Sequence, residues 1–270
     1  MYIVLIILIV NPVTASTLIA SSSEISTKES EKVKMENAKR FYFDYYKDST
    51  NLDRSINTLQ EIIEKDPNNL EAMILLSRVW LTFGYVKATI DEEKIGAFTN
   101  GMEVAKKAIQ VSPDNPDAHF FYVANLGSWG ATHGILRSLF LLSEIRKELE
   151  LILELDPNHV YGLGMTGILY YTIPSFIGGD LTISEIYLKR AMRLDPNLTI
   201  LKIYLAKTLI KQGKYDEATV MLKDVMEENN PTDHADWHIN KGTAKQMLTT
   251  IEKKTQSKPS PSESIRLSTD

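Results

Sequence analysis

Prolines at positions 67, 113, 157, 196 and 231 follow one another at intervals of 46, 44, 39 and 35 residues. Proline removes a backbone donor and clashes with the preceding turn, so no regular helix runs through these points. The stretch from Asp156 to Pro196 shows what lies between two of them. It opens with Asp156-Pro157-Asn158, continues as an apolar run spaced by Gly162, Gly164 and Gly167, and turns at Pro174 and at Gly178-Gly179-Asp180. A second amphipathic run then closes on Ala191-Met192-Arg193-Leu194-Asp195-Pro196. Each interval therefore reads as a helical hairpin. Hairpins recurring at this spacing are units that cannot bury an apolar face singly and must stack.

Against the 34-residue tetratricopeptide period, the intervals leave insertions of 12, 10, 5 and 1 residues. The last unit is the cleanest, with Leu205-Ala206, Leu209, Gly213, Tyr215, Ala218, Leu222 and Pro231 in the order large, small, turn glycine, small, large, proline. Small residues at Ala206 and Ala218 let two antiparallel helices approach closely. In the second unit Leu76-Ser77, Trp80 and Gly84 fall in one helix and Gly101, Ala105 and Ala108 in the next, with Tyr85 to Thr99 longer than the pattern allows. The first unit is degenerate, with helices expected over Lys34–Tyr46 and Leu52–Lys65. The third runs from Pro116 to Asp156, with its second helix from about Ser138 to Leu155. A helix over Ala235–Lys254 suits the polar terminal cap of a solenoid. The expected fold is all-α, about five degenerate tetratricopeptide-like units over residues 31–254 plus the cap.

The ends read differently. Tyr2 to Val10 is an uninterrupted apolar run followed by Val13-Thr14-Ala15, which predicts an exported chain with a signal peptide over residues 1–15, or else a retained anchor. Residues 16–30, rich in Ser and Thr, predict a flexible leader, and 255–270 a disordered tail. The absence of cysteine excludes disulfides, thiolate metal sites and lipidation through a thiol. A net charge of -5 gives no electrostatic reason to expect nucleic acid.

The string Ala118-His119-Phe120-Phe121, Asn125-Leu126-Gly127, Trp129-Gly130 and Gly134-Ile135-Leu136-Arg137-Ser138-Leu139, with Pro174 to Asp180 further on, resembles bacterial envelope tetratricopeptide proteins. These are akin to the T component associated with TRAP transporters and, more distantly, to the regulators of microtubule dynamics. The resemblance covers about residues 70–227. It implies an all-helical repeat assembly, trimeric in some members, that partners a periplasmic solute-binding or transporter subunit. The lipid-anchoring cysteine of the T component is missing here.

The candidate binding residues are His119, Asn125, Trp129, His133 and Arg137, polar and aromatic groups set into an otherwise apolar hairpin. They are suited either to line a concave face, with Arg137 receiving a carboxylate, or to satisfy loop carbonyls and pack between units. Tyr170 and Tyr171 either fill the groove between helices or present hydroxyls to a ligand. Pro174, Gly178, Gly179 and Asp180 read as a structural turn, since a phosphate cradle would need a lysine and a preceding strand. His234 and His238 share a helical face, but without a third ligand nearby they read as a solvated pair and no metal is expected. The serines lack a nucleophile elbow and the histidines a nucleophile, so neither catalysis nor a cofactor is predicted.

The function these residues predict is a non-catalytic scaffold for another protein in the cell envelope. The alternative is a carrier, in which the insertions of the second and third units close over an apolar or carboxylate ligand. A purely structural homo-oligomer is the third reading.

Overall fold

The computed structural model describes residues 29–256, so the segments 1–28 and 257–270, with the expectations attached to them, lie outside the described residues. Among the described residues the regular structure is helical throughout. Helix α1 covers residues 29–43. It is followed by α2 (Thr50–Lys65), α3 (Leu70–Val86), α4 (Asp91–Val111), α5 (Pro116–Thr132) and α6 (Ile135–Leu155). The remainder is α7 (Val160–Thr172), a 3-10 turn (Ser175–Ile177), α8 (Leu181–Leu194), α9 (Thr199–Lys211), α10 (Tyr215–Glu227) and α11 (His234–Gln256). No helix of the described residues is long and apolar enough to cross a membrane.

At three of the five prolines the stop signal has the same physical basis. Asp66, Asp156 and Asp195 each turn a carboxylate onto the backbone N–H two residues ahead, at Asn68, Asn158 and Asn197, with proline between them. This Asx turn ends one helix, and a side chain soon caps the next. Asn69 accepts from the Ala72 amide, Asn115 from Ala118 and His159 from Gly162, at 2.9–3.0 Å. The fifth proline turn folds back on the fourth, where the Thr232 hydroxyl donates to the Asp195 carboxylate at 2.7 Å.

The inserted residues of the second and third units are not loops. α3 runs on to Val86, and α4 is 21 residues long, leaving only residues 87–90 between them. α6 is also 21 residues and begins at Ile135, with only residues 133–134 between it and α5. The excess length has become helix, so no long loop covers a pocket there, contrary to the picture of insertions closing over a ligand. Glu93 explains one boundary: its carboxylate accepts from the Thr89 amide and hydroxyl and so fixes the start of α4. Smaller differences fall at the ends. α1 begins at residue 29, within the stretch expected as a leader, and stops at residue 43, before Tyr45 and Tyr46.

Consecutive helices pack as antiparallel pairs, and alternate helices also touch in the series α3, α5, α7, α9 and α11. The even-numbered helices show no comparable series. Contacts between every second helix arise on the short-radius side of a curved stack, so the odd-numbered helices form the inner row and the even-numbered ones the outer. Small buried residues set the spacing. Gly101 of α4 lies against Asn125 of α5, where any Cβ would overlap the amide, and its carbonyl accepts from the Ser77 hydroxyl of α3 at 2.8 Å. Leu163, Leu188, Leu201, Leu205, Leu209 and Leu222 build the core of the C-terminal half.

Candidate binding groove on the inner helices

The inner row does not stay open along both edges. Ala235, at the start of α11, is buried in the same apolar cluster as Tyr42 and Leu52 of the first hairpin. The Tyr45 hydroxyl donates to Asp236 at 2.9 Å, across 191 positions of sequence. Arg78 of α3 stands at the centre of this closure. It donates to Asp233 at 3.0 Å and to the Tyr42 hydroxyl at 2.9 Å, and its guanidinium lies over the rings of Tyr42 and Tyr161 at 5.0 and 5.7 Å. Asp233 is 2% exposed at its side chain and Arg78 22%. Oδ1 of Asp233 also accepts from the Ala235 and Asp236 amides, so one carboxylate caps α11 and holds the arginine.

Charges drawn from water in this way perturb one another. Burial works against the Arg78 cation, but Tyr42, Tyr161 and Asp233 outweigh it and hold the proton more firmly than usual. Burial pushes the Asp236 carboxyl up to about 6, and the neighbouring Asp233 charge adds to it against the Tyr45 hydrogen bond and Arg78. Burial raises the Tyr42 and Tyr45 phenols as well.

The other edge is built differently. Arg78, Thr82 and Tyr85 recur at helical spacing along one face of α3. Tyr85 at its far end is 68% exposed and its hydroxyl lies 2.6 Å from that of Ser128 on α5. On α9, Tyr204, Lys207 and Lys211 form the matching stripe. The Lys207 ammonium lies 4.3 Å from the centre of the Tyr204 ring, and Lys211 lies 3.8 Å from that of Tyr171 while donating to the Tyr171 carbonyl at 3.0 Å. Tyr171 meets Tyr204 edge to face at 5.9 Å. Burial is the main cause that raises the Tyr204 phenol.

The residues singled out by sequence are divided by this geometry. His119 and Asn125 are buried. His119 sits between Glu148 of α6 at 2.7 Å and the Pro113 carbonyl at 2.8 Å, tying a hairpin to the turn before it. Asn125 donates to the Ser77 and Phe121 carbonyls. Trp129, His133 and Arg137 do come together. The His133 ring is 3.8 Å from that of Trp129, and the Arg137 guanidinium is 5.6 Å from the indole, with no carboxylate in ion-pair range among the described residues. Tyr170 stacks on Tyr187 at 6.2 Å, away from the partner that Tyr171 finds.

The turn after α7 consumes its own donors. The Gly178 amide bonds the Ser175 carbonyl, and that of Gly179 bonds Pro174, leaving neither for a phosphate. Gly178 has φ +96, in the left-handed region open to glycine, and Asp180 caps α8 by accepting from Thr182 and Ile183. His234 and His238 each face an aromatic ring, Trp237 and Tyr46 respectively, and no group of three potential ligands gathers among the described residues.

Sequence reasoning missed Tyr85, Tyr204, Lys207 and Lys211. A signal for them was present: α7 carries no charged residue, and α9 carries three lysines and no acid.

The sequence pattern of the family described as regulator of microtubule dynamics protein 1-3 matches residues 22–176. Regulator of microtubule dynamics protein 1 of Bos taurus is 24% identical over 165 residues, covering 56% of this chain and 50% of the relative. The chain thus spans about half the length of the curated relative it matches. Among solved structures, a thermophilic TPR protein of Thermus thermophilus is similar over 79% of this chain and 98% of its own, with a TM-score of 0.61 at 17% identity. That likeness shows the fold, a tetratricopeptide-like solenoid. MamA of Desulfovibrio magneticus is similar over 72% of this chain and 94% of its own, at 14% identity and a TM-score of 0.43.

Proposed function

The chain belongs to the regulator of microtubule dynamics protein 1-3 family, and on that premise we propose that it is a non-catalytic scaffold that binds a segment of another protein along its inner helices. The observation that carries the reading is the inner row itself. Its walls are helices already locked by buried contacts, one edge is closed by Arg78 and Asp233, and the other presents exposed aromatic and cationic side chains. A surface ordered before binding loses little conformational entropy when a partner docks.

The test is site-specific crosslinking. A photoreactive phenylalanine at Tyr85 is expected to give a discrete protein adduct in cells, and the same group at Val220 on outer helix α10, also exposed, is expected to give none. Absence of an adduct at Tyr85, or equal adducts at both positions, sinks the reading. Export and partnership with a solute-binding subunit are a finer proposal supported by the apolar run Tyr2–Val10. Fractionation that leaves the chain in the cytoplasm rules them out.

A further inference from the structure

We infer that the segment held by the inner row is acidic, gripped at the open edge by Lys207 and Lys211 with the rings of Tyr204 and Tyr171 beneath them. This rests on the scaffold reading and gives its partner a chemistry.

The first support is how charge is divided between the two rows. The chain holds 35 acidic residues against 30 basic ones. Yet α7 has no charged residue, α9 has Lys202, Lys207 and Lys211 with no acid, and the only carboxylate of α5 is Asp117 in its first turn. Acidic residues crowd the outer helices instead, as in Asp91, Glu92 and Glu93 of α4 and Asp216 and Glu217 of α10.

The second support is the state of the cations. Lys202 is matched by Glu228 at 3.0 Å, and Arg78 by Asp233. Lys207 and Lys211 have no carboxylate within ion-pair distance among the described residues; each has an aromatic ring beneath it. Lys207 is half-buried, and burial alone accounts for its depressed pKa; burial alone likewise raises the Tyr171 phenol. A partly desolvated ammonium without a counter-ion is unfavourable, and a ring face offsets only part of that cost while leaving the outer side of the cation open.

The third support is shape. Lys207 and Lys211 lie one helical turn apart on one face of α9, and Tyr171, edge to face with Tyr204, extends the strip onto α7. The strip is lined from two helices, α7 and α9, and carries two cations with Lys211 exposed, so it matches successive acidic side chains of an extended segment better than one small anion.

Binding of a fluorescently labelled Glu- and Asp-rich peptide to the full chain tests this, with an otherwise identical Gln and Asn peptide as the control. The acidic peptide is expected to bind at least about tenfold more tightly than the neutral one, weaken as salt rises, and lose about tenfold with Lys207→Ala and Lys211→Ala combined. Circular dichroism of the double variant should be unchanged. Equal binding of the two peptides, or an unaffected double variant, overturns the inference. So does displacement of the peptide by equimolar inorganic phosphate, which would make the site one for a small anion. Markedly tighter binding after removal of residues 257–270 would make the chain's own tail the occupant, again overturning it. If the Tyr85 crosslink to a partner persists in the double variant, the acidic inference fails and the scaffold stands. If Tyr85 gives no crosslink in the unaltered chain, the scaffold itself fails.

Discussion

The two edges of the inner row use the same side-chain types to opposite ends. At the closed edge a guanidinium lies among tyrosines with a buried carboxylate at 3.0 Å, and the elements it joins are 155 positions apart in sequence. At the open edge two ammonium groups lie on tyrosines with no carboxylate in ion-pair range among the described residues. A cation matched within its own chain is part of the fold. A cation left without a carboxylate is available to something else. The difference teaches that charge balance, more than residue type, separates the structural from the interactive surface of this solenoid.

The comparison breaks most visibly at Asp233. Asp233→Ala removes the partner of a largely buried arginine and the cap of α11 together, and we expect a loss of about 3–5 kcal/mol in urea unfolding. Arg78→Met leaves the carboxylate unpaired and should also be destabilising, by less. The double variant is expected to recover part of the combined loss, because each single change strands the other charge. Additive effects would mean that Arg78 and Asp233 do not hold each other, and the closed edge would lose its explanation.

A smaller effect separates the edges by pH. The Asp236 carboxyl is raised from 3.8 to about 6 in the fold, so the folded state binds its proton more tightly than the unfolded chain. A raised carboxyl is least costly while protonated. Its contribution to stability is therefore lost as pH climbs through the interval between those values, and it stays lost above it. Asp236→Asn abolishes that slope and keeps an acceptor for Tyr45. Relative to the variant, the unaltered chain should lose about 2–3 kcal/mol between about pH 4 and about pH 7. Parallel stability curves for the two would refute the assignment.

The fold was legible in the sequence because proline and the Asx turn act locally. Asp66, Asp156 and Asp195 bond within two residues of themselves, so spacing alone marks the hairpins. The closure was not legible. Tyr45 and Asp236, or Arg78 and Asp233, are brought together only by the accumulated curvature of the whole stack, which no local pattern encodes. The same limit explains the division of the candidate site. His119 and Asn125 were conspicuous as polar residues in an apolar helix, and that is also how a buried hydrogen-bonded residue looks from sequence. Lys207 and Lys211 were inconspicuous because lysine is ordinary on a helix surface. Only the position of α9 in the inner row makes them unusual.

The smallest predicted effect is the sharpest, because its sign is opposite to that at Asp233. Burial depresses the Lys207 pKa, which means that the folded chain binds this proton less tightly than the unfolded one. With more protons on the unfolded state, the charged lysine opposes folding at neutral pH and ceases to do so as pH rises through its unfolded value. Replacing it with an uncharged side chain of similar length removes that opposition and keeps the packing on Tyr204. Lys207→Met is thus expected to leave stability unchanged or raise it slightly, within about 0.5 kcal/mol by thermal or urea unfolding. A loss comparable to that of Asp233→Ala would show that the fold does depend on this cation, and the distinction between matched and unmatched edges would collapse.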